Sequence, residues 1–164
     1  MEKKIILTSS AAAMKLRRMA YEILENNQGE NHLILAGIKG SGLVVASQLQ
    51  AILTEISTVS TELITIEFDK KRPASIDLSN KMDFNDKIII IIDDVTNSGK
   101  SLLYALKPFL EFYPKKIQTL VLVERSHKTY PIHPDFVGLS LATTLQEHIY
   151  VEVKDNEITG AYIY

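Results

Sequence analysis

The stretch Ile88-Ile89-Ile90-Ile91-Ile92-Asp93-Asp94-Val95-Thr96-Asn97-Ser98-Gly99-Lys100-Ser101 decides how this chain is read. An unbroken run of isoleucine bounded by polar residues fits a strand buried on both faces, here Lys87 to Asp93. That strand delivers two adjacent carboxylates to its end. A loop of small polar residues follows and leads into a helix over Ser101 to Phe112, apolar at Leu102, Ala105, Leu106 and Phe109, with Pro108 expected to kink or shorten it. Backbone N–H groups in such a loop, with a helix behind them, favour a phosphate. Ser98 and Ser101 add hydroxyl donors, and Gly99 allows close approach of the chain. Paired carboxylates beside a phosphate cradle suit sugar hydroxyls or a hydrated Mg²⁺.

Working outward, the same grammar repeats. Ser9 to Asn27 reads as a helix, with Leu16, Met19, Ala20 and Ile23 on one face and Ser9 or Ser10 as its cap. His32 to Ala36 is a short strand, followed by the turn Gly37-Ile38-Lys39-Gly40-Ser41-Gly42 and a helix over Leu43 to Leu53. Leu63 to Phe68 is a strand. Asp69 to Asp86 is polar and has no period, so it reads as a long loop of the kind that often carries function. Ile117 to Val123 is another buried strand. Phe136 to Tyr164 alternates like short strands, clearest at Ile149-Tyr150-Val151-Glu152-Val153. Strand–helix alternation predicts an α/β domain with a mainly parallel twisted sheet flanked by helices. Ligands of such sheets bind beyond the carboxyl ends of the strands.

Composition removes whole classes of function. The chain has 164 residues, 46% hydrophobic and 23% charged, which fits one domain able to bury a core without metal or disulfide. There is no Cys, which excludes thiolate metal sites, iron–sulfur clusters and a cysteine nucleophile. A net charge of −2 gives no broad attraction to nucleic acid or anionic lipid. His32, His127, His133 and His148 show no metal-ligand spacing. The N-terminal stretch holds only three aliphatics, Ile5 to Leu7, too few for a secretory signal, so the cytoplasm is expected. No apolar run is long enough to span a membrane.

Two phosphate motifs are also excluded. A Walker A loop needs Gly where Asp94 stands, and the early turn is G-x-x-G-x-G rather than the dinucleotide fingerprint G-x-G-x-x-G. A phospho-accepting receiver domain would carry its acidic pair after the first strand, not mid-chain.

The segment Ile91 to Ser101 resembles the phosphoribosyl-pyrophosphate signature of type I phosphoribosyltransferases. Leu35-Ala36-Gly37-Ile38-Lys39-Gly40 is similar to the family's pyrophosphate loop, and Leu122 to Gly138 to the segment that ends at the base site. The spacing is closest to PyrR-like proteins, the pyrimidine-operon attenuator and uracil phosphoribosyltransferase group. The resemblance implies a single domain over residues 1–164, with a small hood mainly from about residue 136 to 164 and the N-terminus as a candidate contributor. It implies transfer of 5-phosphoribose from phosphoribosyl pyrophosphate to a nucleobase, with Mg²⁺ as cofactor, in a homodimer.

Residue by residue, the resemblance assigns the ribose hydroxyls and, through water, Mg²⁺ to Asp93 and Asp94. It assigns the 5′-phosphate to Thr96, Asn97, Ser98, Gly99, Lys100 and Ser101, and the pyrophosphate to Lys39, Gly40 and Ser41. Arg72, or its neighbours Lys70 and Lys71, would reach the pyrophosphate from a loop that closes. Arg125 and Thr143 would line the base site. Hypoxanthine-type relatives carry an acid where Asn97 stands and a Lys where Glu124 stands, so uracil is expected ahead of a 6-oxopurine. PyrR-like loops have an Arg beyond the Lys, where this chain has Gly40-Ser41-Gly42. A regulator that binds RNA with little turnover is therefore the alternative, with Lys15, Arg17, Arg18 and Lys128 as its candidate basic patch.

Overall fold

The isoleucine run occupies the centre of a six-stranded sheet. The structure is a computed structural model and describes residues 2–164. Nine strands are assigned among them: β1 (Lys4–Leu7), β2 (His32–Ile38), β3 (Ser60–Glu67), β4 (Asp77–Leu78), β5 (Ile88–Thr96), β6 (Lys116–Arg125), β7 (Phe136–Leu141), β8 (Ile149–Lys154) and β9 (Glu157–Ile163). The helices are α1 (Ser9–Asn26), α2 (Ser41–Ile56) and α3 (Lys100–Ala105), with a 3₁₀ turn at Lys107–Phe109. The larger sheet has the order β4-β3-β2-β5-β6-β7. All its pairs are parallel except β3–β4.

Alternation explains the apolar runs. Ile88, Ile90 and Ile92 face one core with Leu33 and Leu35, beneath α1 and α2. Ile89 and Ile91 face the other, with Ile34, Ala36 and Ile38 and residues of α3. A strand sandwiched this way has no face left for polar side chains, which is why β2 and β5 are nearly unbroken aliphatics. The second core includes Phe84, whose ring meets Phe109 edge-on at 4.9 Å and Phe112 at 5.3 Å. Phe84 thus anchors the far end of the long polar segment.

The sheet order places the site. From β2 the chain steps through α2 to β3 on one side, then returns to lay β5 on the other. The order reverses between β2 and β5, so a crevice opens outside their carboxyl ends. Lys39-Gly40 follows β2, and Asp93-Asp94 lies near the end of β5.

Several sequence expectations are corrected. The cap of α1 is Thr8, not Ser9 or Ser10; its side chain accepts from the Ala11 N–H at 3.2 Å. β2 runs through Gly37 and Ile38, so the glycine turn shrinks to Lys39-Gly40, with Gly40 at φ +98°. The expected helix over 101–112 stops at Ala105 and tightens to 3₁₀ geometry at Pro108, which has no N–H to continue it. The boundary near residue 136 also moves. Phe136–Leu141 pairs in parallel with β6 as an edge of the main sheet. The separate small sheet has the order β1-β9-β8, so it takes in the N-terminal strand and excludes β7.

A close approach fixes that edge. A Cβ on Gly138 would stand 2.3 Å from the Leu122 carbonyl oxygen. We predict that Gly138→Ala costs about 2–3 kcal/mol, as backbone must shift to admit the methyl, and lowers Tm by about 5–10 °C. Thermal unfolding followed by circular dichroism checks this; an unchanged Tm refutes it.

Candidate functional site

Asp93 is the buried member of the acidic pair, with 1% of its surface exposed. The β5 strand and the start of α2 press together here. A Cβ on Gly42 would lie 2.8 Å from Asp93 Oδ1, so no larger residue fits at that turn of α2. Asp93 Oδ1 accepts the Asp94 backbone N–H at 2.9 Å. Lys70, reaching in from the long loop, donates to Oδ2 at 3.2 Å. Burial pushes the Asp93 carboxyl up to about 8, and the neighbouring Asp94 charge pushes the same way. The half-exposed Lys70 ammonium opposes both and is outweighed.

Beyond Asp94 the chain forms a cup of about 230 Å³, lined by Lys70, Val95, Thr96, Asn97, Ser98, Gly99, Lys100 and Ser101. Gly99 has φ +86°, a left-handed conformation that swings the chain into α3. It is also crowded: a Cβ there would meet Ile132 Cγ2 at 2.8 Å. The cup is fastened from outside, because the Ser98 carbonyl accepts N–H bonds from Thr129 at 3.1 Å and Tyr130 at 3.0 Å. The expected phosphate residues Thr96 to Ser101 are therefore brought together around one anion-sized cavity.

On one side of Asp93 a second cavity of about 500 Å³ is lined by Ile38, Lys39, Glu67, Asp69, Lys70 and Asp77 among others. Lys39 follows β2 and bonds Glu67 of β3 at 2.6 Å, an exposed pair that the sequence reading missed because its members lie far apart in the chain. Gly40 caps α2 and Ser41 opens it, without a side-chain capping bond. The structure brings Lys70, rather than Arg72, to the carboxylates. Arg72 is exposed, and its backbone N–H closes a turn onto Asp69. Lys100 donates to the Lys71 carbonyl at 3.2 Å and ties that loop to the cup.

The other side holds a cavity of about 640 Å³, lined by Asn97, Ser98, Arg125, His127, Lys128, Thr129, Thr143, Thr144, Leu145 and His148. Arg125 and Thr143 do meet there. Arg125 donates to Asn97 Oδ1 at 3.3 Å, to the Thr144 carbonyl at 2.9 Å and to the Glu147 carbonyl at 2.6 Å. Thr143 Oγ1 is buried with no partner in the described chain. Lys128, a candidate for the basic patch of the regulator alternative, has a side chain only 3% exposed; it pairs with Glu124 and donates to the Arg125 carbonyl at 3.0 Å. No spacing rule announced that pair. Asn97 and Ser98 line both this cavity and the phosphate-sized cup, so the two share a wall.

Among the described residues no cluster of three or more His, Cys, Asp or Glu side chains converges on a metal. Asp93 and Asp94 stand side by side near the end of β5. A pair of carboxylates fits Mg²⁺, which keeps several waters and takes further oxygens from a phosphorylated substrate. No helix among these residues is long and apolar enough to cross a membrane.

Comparison with known proteins fits this geometry. The phosphoribosyl transferase domain family matches residues 2–156. The chain is 34% identical over 173 residues to the Bifunctional protein PyrR of Staphylococcus carnosus, covering 99% of each. It is 31% identical to that of Macrococcus caseolyticus, again over 99% of each. Its fold is similar to the hypoxanthine phosphoribosyltransferase of Trypanosoma cruzi, with a TM-score of 0.75 and 17% identity over 84% of this chain and 81% of the other. A hypoxanthine-guanine phosphoribosyltransferase of Bacillus anthracis superposes with a TM-score of 0.71 at 16% identity, covering 88% and 85%.

The raised Asp93 carboxyl has a thermodynamic signature. Between an ordinary value near 3.8 and the folded value near 8, the unfolded chain releases this proton while the folded chain keeps it. Unfolding is then favoured by rising pH, and this group's effect on stability worsens steadily from about pH 4 to about pH 8. We predict that Asp93→Asn removes the slope, so the variant's Tm gains on the wild type by several degrees from pH 5 to pH 8. Parallel Tm profiles across that range refute it.

Proposed function

We propose, for a chain that belongs to the phosphoribosyl transferase domain family, that its nucleobase substrate is uracil. The chain is a phosphoribosyltransferase, by its family and by its likeness to PyrR proteins over nearly its whole length. The observation that carries the site reading is the acidic pair of β5 running into the phosphate-sized cup, with a larger cavity sharing the cup's wall.

Three cavities around one crevice match three parts of the substrates. The cup of Thr96 to Ser101 takes the 5′-phosphate on backbone N–H groups and serine hydroxyls. Asp93 and Asp94 take the ribose hydroxyls. The cavity lined by Lys39 and Lys70 takes the pyrophosphate, with Gly40 and Ser41 next to Lys39 in the chain and Arg72 two residues beyond Lys70. The cavity of Arg125 and Thr143 takes the base. In the reaction the bond from the anomeric carbon to the pyrophosphate oxygen breaks, and a bond to a nucleobase nitrogen forms. The sugar carries positive charge between these events. Asp94 lies beside that charge and favours it electrostatically, while the cup and the base cavity hold the reacting atoms in line. Bound Mg²⁺, held through water by Asp93 and Asp94, would neutralise charge on the leaving pyrophosphate. Lys70 and Lys100 hold the long loop over the crevice, which limits the access of water to the activated sugar.

Uracil is supported by the PyrR relatives and by two residues. Asn97 is an amide, which cannot take a proton from a purine nitrogen. Glu124 is spent on Lys128 and offers no cation to a purine oxygen. Two cations of the basic helix face are paired: Arg17 with Glu55, and Arg18 with Glu22 and the carbonyls of Val137 and Gly138. That favours the enzyme over an RNA-binding regulator. A homodimer rests on the family resemblance alone.

The deciding experiment offers phosphoribosyl pyrophosphate and Mg²⁺ with uracil, hypoxanthine, guanine, xanthine and orotate in turn. We expect turnover with uracil, lowered about 10²-fold or more in Asp94→Asn by loss of charge stabilisation. Turnover with a purine alone overturns the choice of base. Binding of phosphoribosyl pyrophosphate without turnover of any base favours the regulator; RNA binding with a steep salt dependence would then establish it.

A further inference from the structure

Arg125 spends its hydrogen bonds inside the protein. A guanidinium donates and never accepts. Each of its three nitrogens meets an acceptor of this chain: Asn97 Oδ1 in the phosphate cup, and the carbonyls of Thr144 and Glu147 in the linker between β7 and β8. That linker is itself closed by Glu147, whose carboxylate accepts from the Thr144 N–H at 2.7 Å and hydroxyl at 3.1 Å. Arg125 therefore lashes the end of β6 to the cup on one side and to the far wall of the base cavity on the other.

The lash fixes an ambiguity. An asparagine amide can present either its oxygen or its NH₂ to a ligand, and its neighbours decide which. Because Arg125 can only donate, Asn97 must turn its oxygen to the guanidinium. Its NH₂, a pure donor, is left for whatever occupies the cavity that Asn97 lines. Across that cavity the linker held by Arg125 carries Thr143, whose hydroxyl is buried and unpartnered. A buried hydroxyl without a partner is costly, and a ligand that supplies one relieves the cost.

We propose that Arg125 is a positioning and specificity-determining residue: through Asn97 and the Thr143 wall it selects a base that turns a carbonyl oxygen toward an amide donor and offers a second polar edge to a hydroxyl. This rests on the reading of the cavity as the nucleobase site, and it gives that site its chemistry. A pyrimidine-2,4-dione, with alternating carbonyl and N–H groups, has such an edge. The backbone of the cup is fastened independently, by Thr129 and Tyr130 on the Ser98 carbonyl, so removal of the guanidinium leaves phosphate binding in place.

The test compares two ligands that differ only in the base. Uridine 5′-monophosphate and ribose 5-phosphate are titrated calorimetrically into the wild type, Arg125→Ala, Asn97→Ala and the double variant. We expect each single change to weaken the nucleotide about tenfold, the worth of a lost hydrogen bond in a partly dry site, and Arg125→Ala, which leaves the cup intact, to keep ribose 5-phosphate within about threefold. The double variant should lose less than the product of the singles, since Arg125 acts partly through Asn97. Equal losses for both ligands would make Arg125 a structural residue and overturn the proposal, as would full additivity. The function reading fails separately: a wild type that binds both ligands but turns over no base is not a working transferase, while the nucleotide-to-sugar comparison still decides the role of Arg125.

Discussion

The burial of one carboxylate organises this molecule. Asp93 ends the apolar part of β5, and it is held by the backbone of its neighbour Asp94, by a lysine from a loop, and by a glycine of α2 that has no side chain to obstruct it. An ionisable group in that position costs folding free energy. Every element around it is constrained as a result. α2 must begin close enough to need Gly42, the long loop must supply Lys70, and the chain must turn at once into the polar cup. The site is thus the place where local rules of stability are broken together, as functional sites tend to be.

The same economy of contacts joins the three cavities. Lys70 belongs to the wall of two of them, and Asn97 and Ser98 to the wall of another two. A substrate whose phosphate, sugar and leaving group fill neighbouring compartments is held at several points, and its reacting carbon has little freedom. The larger sheet supplies the rigidity for this. β2 and β5 are buried on both faces, so the strand ends that carry Lys39 and the acidic pair cannot shift without disturbing two cores.

Much of this was legible in the residues. The isoleucine run, the acidic pair and the small polar loop are contiguous, so a strand, a site and a helix start could be read together. Lys39 and Gly40 were legible from the glycine turn, although β2 extends two residues further than propensity suggested because pairing with β3 carries it through Ile38, and pairing with β5 through Gly37. What could not be read was made by long-range packing. β7 looks like the other C-terminal strands, and only its register with β6 assigns it to the main sheet. Phe84 sits in a polar stretch and gives no period, yet it fills the second core. Lys128 looked like surface charge because nothing in the sequence shows that its stem lies against Gly99. Among the loop cations, composition offered Lys70, Lys71 and Arg72 equally, and only the path of the backbone separated them.

The small sheet has a consequence for how the chain folds. Lys4 is paired with Ile163, and Ile5 with Tyr162, across almost the full length of the sequence. Closing so long a loop is entropically expensive, and such contacts form late. β1 is made before β9 and can be seated against it only after β9 has been completed. Until then α1 has no sheet beneath its Thr8 end, and the surface that Leu7 and Ala161 later cover stays open to solvent. The crevice between β2 and β5, built from the middle of the chain, does not wait for this step.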